Sequence, residues 1–185
     1  MGGERRTARE SVAAAAADLF AEQGYARTTI REIAARASVD PALVIRYSGS
    51  KEALFVDAMT SRAGAALDLD GPLDGLGERI VRYVLEADDG LRSTYLALVR
   101  ASDADRVGSL LRTFHDEAFV SPLLARLTGP DREVRARLVA AMVGGLMYAL
   151  WTVGDDALRA VPTAQVVDVY APGIQRLVTR RGDRP

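Results

Sequence analysis

The side chains able to do chemistry are few in kind. The chain has no cysteine and one histidine, His115. That excludes a disulfide framework, a thiolate metal site and a histidine cluster. No nucleophile stands beside a base, no glycine-rich phosphate loop follows a strand, and the carboxylates are scattered over helix surfaces, so neither a catalytic centre nor a bound cofactor or metal is expected. What remains is cationic. Arg31, Arg46 and the single lysine, Lys51, fall close together in the run TTIREIAARASVDPALVIRYSGSKEALF, residues 28–55. Guanidinium and ammonium groups suit phosphate oxygens and base edges. On an arbitrary helix they would be solvated surface charges, so the elements that position them must decide. A formal net charge of -1 gives no global attraction to nucleic acid, and any such binding has to come from a local surface.

Period-3.6 patterning runs through almost the whole chain and strand-like alternation is nearly absent, so the fold is expected to be all-α with about nine helices. Thr7 with Glu10 is a capping-box pair opening a first helix with Val12, Ala16, Leu19 and Phe20 on one stripe, and Gly24 is its stop. Thr29 with Glu32 repeats the device for a short second helix with Ile30, Ile33, Ala34 and Ala37 inward. After the turn Ala37-Ser38-Val39, Asp40 caps a third helix with Pro41 at its first position, where no N–H is needed. Ser50 caps a fourth, burying Leu54, Phe55, Ala58 and Met59 and running to about Leu67. A long helix followed by two short ones around a tight turn is a helix-turn-helix, the geometry that lays its last helix in the major groove. Beyond the turn-rich stretch DLDGPLDGLG, helices are expected near 75–88, 91–101, 104–127 with a break at Pro122, 131–153 and 163–180.

Taken as a package, residues 7–55 resemble the N-terminal domain of the tetracycline-repressor (TetR) family. The resemblance implies a ligand-responsive homodimeric transcriptional regulator, usually a repressor. Its helix-turn-helix domain would span residues 1–49, and residues 50–185 would form a helical effector-binding and dimerisation domain. Its partners would be a palindromic double-stranded operator, a second copy of the chain and an unidentified small, largely apolar effector. It assigns Thr29 to a phosphate and Arg31 to a base, with guanine O6 and N7 as the usual guanidinium target. Pro41, Ala42, Leu43, Arg46 and Tyr47 would supply the rest of the reading face, Leu43 or Ala42 against a thymine methyl. The Lys51 N–H and ammonium would clamp a phosphate at a helix N-terminus.

Three positions depart from the family pattern: Ala42 often stands as glycine, Ile45 usually as a tyrosine that reaches the backbone, and Ser48 usually as phenylalanine or another large apolar residue. The change at Ile45 removes a phosphate hydrogen bond, about 1 kcal/mol. A truncated side chain at 48 leaves a gap costing roughly 2–5 kcal/mol unless Phe55, Phe20 or a closer helix approach fills it; alternatively Ser48 caps the turn with Gly49. These departures motivate an alternative reading, the same fold as a ligand- or protein-binding dimer with an impaired DNA reader. Arg5, Arg6 and Arg9 are either a mobile tail or a minor-groove arm.

In the second half, LVAAMVGGLMYALWTVG, residues 138–154, carries no charge, but falls short of the ~20 residues that cross a bilayer. A helix apolar all round has to be covered on every side, by a partner subunit or by internal packing. The resemblance places the dimer interface on the last two helices, with Gly144, Gly145 and Tyr148 on one and Val167, Tyr170, Ile174 and Leu177 on the other. Pro172 should kink the latter. Tyr83, Tyr95, Phe114, Phe119, Met142, Met147 and Trp151 are candidate walls of an apolar effector pocket, with His115 as a polar handle. The N-terminus has no secretory apolar region, and a cytoplasmic protein is expected.

Overall fold

A computed structural model describes residues 7–62, 69, 71–101, 107–109, 112 and 115–179. Arg5, Arg6 and Phe114 lie outside the described residues, as does the stretch to Leu67 that the fourth helix was expected to include. The regular structure of the described residues is helical, without a strand, and they pack into two units.

The first unit falls within Met1–Gly64 and Asp89–Arg112. Helix α1, Ala8–Arg27, opens with the Thr7/Glu10 capping box. Gly24 interrupts it with φ 78°, a left-handed conformation that glycine adopts at little cost, and one further turn follows to Arg27. Helix α2, Ile30–Ala37, begins with the Thr29/Glu32 box. Helix α3, Pro41–Ser48, starts where the Asp40 carboxylate accepts the Ala42 N–H at 2.7 Å. Between them Ser38 takes φ 56°, ψ 43° and ends α2 with its own N–H on the Ala35 carbonyl and the Val39 N–H on that of Ala34. Helix α4, Lys51–Arg62, is capped by Ser50, whose hydroxyl accepts the Ala53 N–H at 3.0 Å.

The three reader helices and α4 close over Val12, Ala16, Leu19, Phe20, Ile33, Ala34, Val44, Leu54, Phe55, Ala58 and Met59, all buried, so the sequence stripes face inward as their spacing requires. Ile30 and Ala37 sit half-buried at the edge. One further helix completes this core. Helix α6, Asp89–Ala101, packs on α1 and α4, burying Leu98 and Ala101, and the buried Thr94 hydroxyl donates to the Met59 carbonyl at 3.0 Å. The packing unit around the reader therefore extends well beyond residue 49.

The second unit falls within Ala65–Asp88 and Thr113–Pro185. It contains α5 (Leu76–Leu85), α7 (a π turn at Asp116–Val120 continuing as an α-helix over Ser121–Arg126), α8 (Arg132–Met147, continuing as a π turn over Tyr148–Val153), the single turn α9 (Asp156–Arg159) and α10 (Thr163–Val178). The π turn of α7 lies just ahead of Pro122, which explains why the proline expected to break this helix is accommodated in the first turn of the segment that follows. Together, α8 and its π turn are long and apolar enough to cross a membrane by length and composition. Its first turns, however, carry Arg132, Glu133, Arg135 and Arg137.

Helices α5 and α10 meet closely at Gly77. A Cβ there would lie 2.6 Å from the Ala171 carbonyl oxygen and 2.9 Å from the Gln175 nitrogen, both backbone atoms that cannot swing aside. The Gly77 N–H donates to the Gln175 side-chain oxygen at 2.8 Å, and the Gln175 amide donates in turn to the Leu73 carbonyl at 2.9 Å. Gly77→Ala is expected to push the two helices apart and to cost about 1–3 kcal/mol despite alanine's better helix propensity. A urea melt checks this, and an unchanged midpoint would refute the close contact.

Candidate nucleic-acid interface

Helix α3 sorts its residues cleanly between core and solvent. Val44 is fully buried and anchors the helix, whereas Pro41, Ala42, Ile45, Arg46 and Gly49 are exposed along one stripe. Leu43, Tyr47 and Ser48 are half-buried on its flanks. Arg31, on the first turn of α2, is exposed as well. The Arg46 guanidinium lies 5.9 Å from the Tyr47 ring centroid, at the outer range of a cation–π contact.

The Thr29 hydroxyl is occupied inside the protein. It accepts the Glu32 N–H at 3.2 Å and donates to the Glu32 carboxylate at 2.8 Å. Bonds from that hydroxyl and from the Thr29 amide hold the Glu32 carboxyl below the usual carboxylate range. A phosphate at Thr29 therefore has to share this hydroxyl with a charged neighbour.

The Lys51 ammonium sits 4.2 Å from the Tyr25 ring centroid, and burial pulls its pKa below the ordinary lysine value against the raising influence of Glu52 and Glu32. Tyr25 also donates its hydroxyl to Glu52 at 2.8 Å and packs its ring 5.1 Å from that of Phe55, which meets Phe20 edge-on at 4.9 Å. The last turn of α1 thus fixes the first turn of α4, and with it the Lys51 cation. Two positions of this surface escape the sequence reading. Ile45 belongs to the outward stripe by its i, i+4 relation to Pro41, but reads only as a missing tyrosine. Tyr25 follows Gly24 and falls off the helical stripe.

Ser48 does not cap the turn with Gly49. Its hydroxyl donates to the Val44 carbonyl at 2.8 Å within its own helix. Phe20 and Phe55 do not fill the space beside it either, since they stack toward Tyr25. A cleft of about 300 Å³ remains, walled by Ser48, Tyr47, Val12, Leu54 and Ala58.

In the second unit the expected interface residues divide. Val167 and Ile174 are buried in their own chain, because α10 turns this face onto its neighbours α5 and α8; they are therefore not offered to a partner. The Tyr170 hydroxyl donates to the Met142 carbonyl at 2.9 Å, and Leu177 is half-buried. Gly145 and Tyr148 are exposed and Gly144 half-buried. They continue a stripe with Val134, Leu138 and Ala141, of which Val134 is 60% and Leu138 47% exposed. Of the expected pocket residues, Met147 and Trp151 are buried, Tyr83, Phe119 and Met142 half-buried, and His115 exposed with its ring 5.8 Å from that of Phe119. Burial pushes the Tyr83 hydroxyl up from its ordinary pKa. Tyr95 belongs to α6 of the first unit. An apolar groove of about 310 Å³ lies instead among Gly145, Leu146, Leu158, Val161, Val169 and Tyr170.

A long helix, two short capped helices and an outward stripe bearing arginine define a helix-turn-helix DNA-binding protein. Residues 12–58 match the family model described as bacterial regulatory proteins, tetR family, and residues 74–178 that of the tetracyclin repressor-like C-terminal domain. The chain belongs to the TetR family of transcriptional regulators. It is 40% identical over 161 residues to an HTH-type transcriptional repressor of Mycobacterium tuberculosis, covering 83% of this chain and 79% of that protein. It is also similar to the crystal structure of a TetR-family regulator from Streptomyces coelicolor, with TM-score 0.66, 29% identity, and 95% and 99% of the two chains covered. NalD of Pseudomonas aeruginosa, the secondary repressor of a multidrug efflux pump, shares the fold at TM-score 0.66 and 18% identity over 94% and 97% of the chains.

Proposed function

We propose that this DNA-binding regulator is a cytoplasmic homodimeric repressor that reads a palindromic operator through α3 and is released by a small, largely apolar effector. The observation that carries the reading is the outward stripe Pro41, Ala42, Ile45 and Arg46, held rigid by the buried Val44 and flanked by Arg31. Arg31 and Arg46 contact guanine edges or phosphates, and the apolar Ala42 and Ile45 suit thymine methyl groups. Lys51, steadied by Tyr25, meets a phosphate.

Dimerisation uses the α8 stripe Val134, Leu138, Ala141, Gly145 and Tyr148, whose alternating spacing of four and three matches a helix–helix seam. A Cβ added at Gly144 or Gly145 would meet nothing within 4 Å in the chain, so these glycines serve no packing need of the protomer and leave room for a partner helix. The apolar groove among Leu146, Leu158, Val161, Val169 and Tyr170 is the space offered to an effector, which acts through unequal affinity for two dimer states. The element that carries the change is α4, through Lys51 in its first turn.

Selection from random duplex DNA, followed by titration of the enriched site at several salt concentrations, tests the reading. A two-fold symmetric site is expected, with a log–log salt slope of several units. Arg31→Ala is expected to weaken specific binding by about 1–3 kcal/mol, or roughly 5- to 150-fold, without changing the melting temperature. A folded, ligand-free dimer that enriches no site would overturn it in favour of an impaired reader.

A further inference from the structure

The first unit is filled unevenly. Where α1 ends, the rings of Phe20, Tyr25 and Phe55 occupy the space between helices. Where α1 begins, the residues that meet are small, namely Ala13, Ser48, Ala58 and Ser61, and a cleft of about 300 Å³ stays open between α1, α3 and α4. A cavity of about 150 Å³ already holds a benzene ring, so the space admits one ring with room to spare. Val12, Leu54 and Ala58 are buried apolar walls. Arg9 and Asp57 stand on the lining with Ser48 and Ser61, one side chain of each charge sign. With one charge of each sign, the lining gives a carboxylate or an ammonium no net attraction. A neutral ring carrying a hydroxyl suits the apolar walls and meets polar side chains on the lining.

We infer that this cleft is a second small-molecule site, taking a neutral hydroxylated aromatic of phenol size, and that its occupant stiffens the reading helix. The link to DNA is short. Tyr47 is a wall of the cleft, and its ring stands 5.9 Å from the Arg46 guanidinium on the outward stripe. A ring packed against Tyr47 restricts that side chain and therefore the arginine beside it, so binding favours the DNA-competent arrangement, the opposite sign to the releasing effector proposed above. The binding stands on the cleft alone, whereas the coupling rests on α3 being the reader.

The test uses the full chain and phenol as the probe. Amide chemical-shift changes on titration with phenol, in the absence of DNA, are expected to cluster at Val12, Tyr47, Ser48, Leu54 and Ala58, with millimolar affinity. Ser48→Phe, which fills the cleft from α3, and Ala13→Leu, which narrows it from an exposed position of α1, are each expected to remove these changes; the second covers the case in which the first fails to fold. With the selected DNA site, phenol is expected to tighten binding several-fold in the parent protein and not in either variant. No shift changes in the cleft, or changes that persist in both variants, would overturn the site. Cleft occupancy with unchanged DNA affinity would overturn the coupling. A protein that selects no DNA but still shows the phenol shifts would sink the reader assignment, and with it the coupling, while upholding the site.

Discussion

Arg135→Ala is expected to lower the unfolding free energy by about 3 kcal/mol, seen as a fall of several degrees in melting temperature. Arg135 is only 5% exposed, on a helix face it shares with the buried Val139 and Val143. It donates to the Leu177 carbonyl at 3.1 Å and to the Thr128 carbonyl, and its Nε lies 3.2 Å from the Asp131 carboxylate. Leu177 is in the last turn of α10, where carbonyls lack helical partners and the helix dipole favours a cation. One guanidinium thus ties the end of α10 to α8 and to the loop before it. Alanine removes these donors and leaves a void as well. Asp131 is 44% exposed and can be solvated again, which keeps the loss at the lower end of what breaking a buried pair costs. Arg137→Ala is the control. Its ion pairs with Glu133 and Asp116 are exposed, so the expected change is within about 0.5 kcal/mol. Equal melting temperatures for the two variants would show that Arg135 is not the tie described.

Leu138→Asp is expected to turn the proposed dimer into folded monomers at micromolar concentration. In the protomer Leu138 is half exposed on the α8 stripe, so the aspartate is solvated there and the far-ultraviolet circular dichroism should not change. In a two-fold dimer the same carboxylate enters the seam twice, opposite its own copy or nearly so, and burying unpaired like charges costs several kcal/mol. Operator affinity should then fall more than about a hundredfold, since one reader reaches only one half-site. Ile174→Asp separates this surface from the protomer core: being fully buried within its own chain, it should unfold the second unit rather than release a monomer. Sedimentation equilibrium distinguishes the outcomes, and a Leu138→Asp protein that sediments as a dimer would remove α8 from the interface.

Local signals made the reader legible. Both capping boxes, the Asp40 cap, the Ser50 cap and the Gly24 break appear where the residue types demand them, because each is settled by side chains within four positions. The resemblance to the family supplied Arg31, Pro41, Ala42, Leu43, Arg46 and Tyr47, of which Leu43 and Tyr47 are half-buried and the others exposed. Features that depend on distant partners were not legible. The π turns at Asp116–Val120 and Tyr148–Val153 have no marker of their own, and they change the phase of everything after them. Val167 and Ile174 share the apolar character of a dimer seam, and only the packing of α10 on α5 and α8 shows that their own chain already covers them. The pocket residues were gathered by type, and type does not fix location: Tyr95 and Tyr83 belong to different units.

The helix that completes the reader, α6, follows the reading sequence by a whole intervening element, α5 of the other unit. On the ribosome this order sets a delay. Once Arg62 has been added, the chain must grow to Ala101 before α1 and α4 can receive their covering helix, roughly 2 to 8 s at ordinary elongation rates. Through that interval the apolar surfaces of α1 and α4 are uncovered in a nascent chain that already holds its recognition helix, so the ability to engage DNA firmly should arise late in synthesis and fail in prematurely terminated chains.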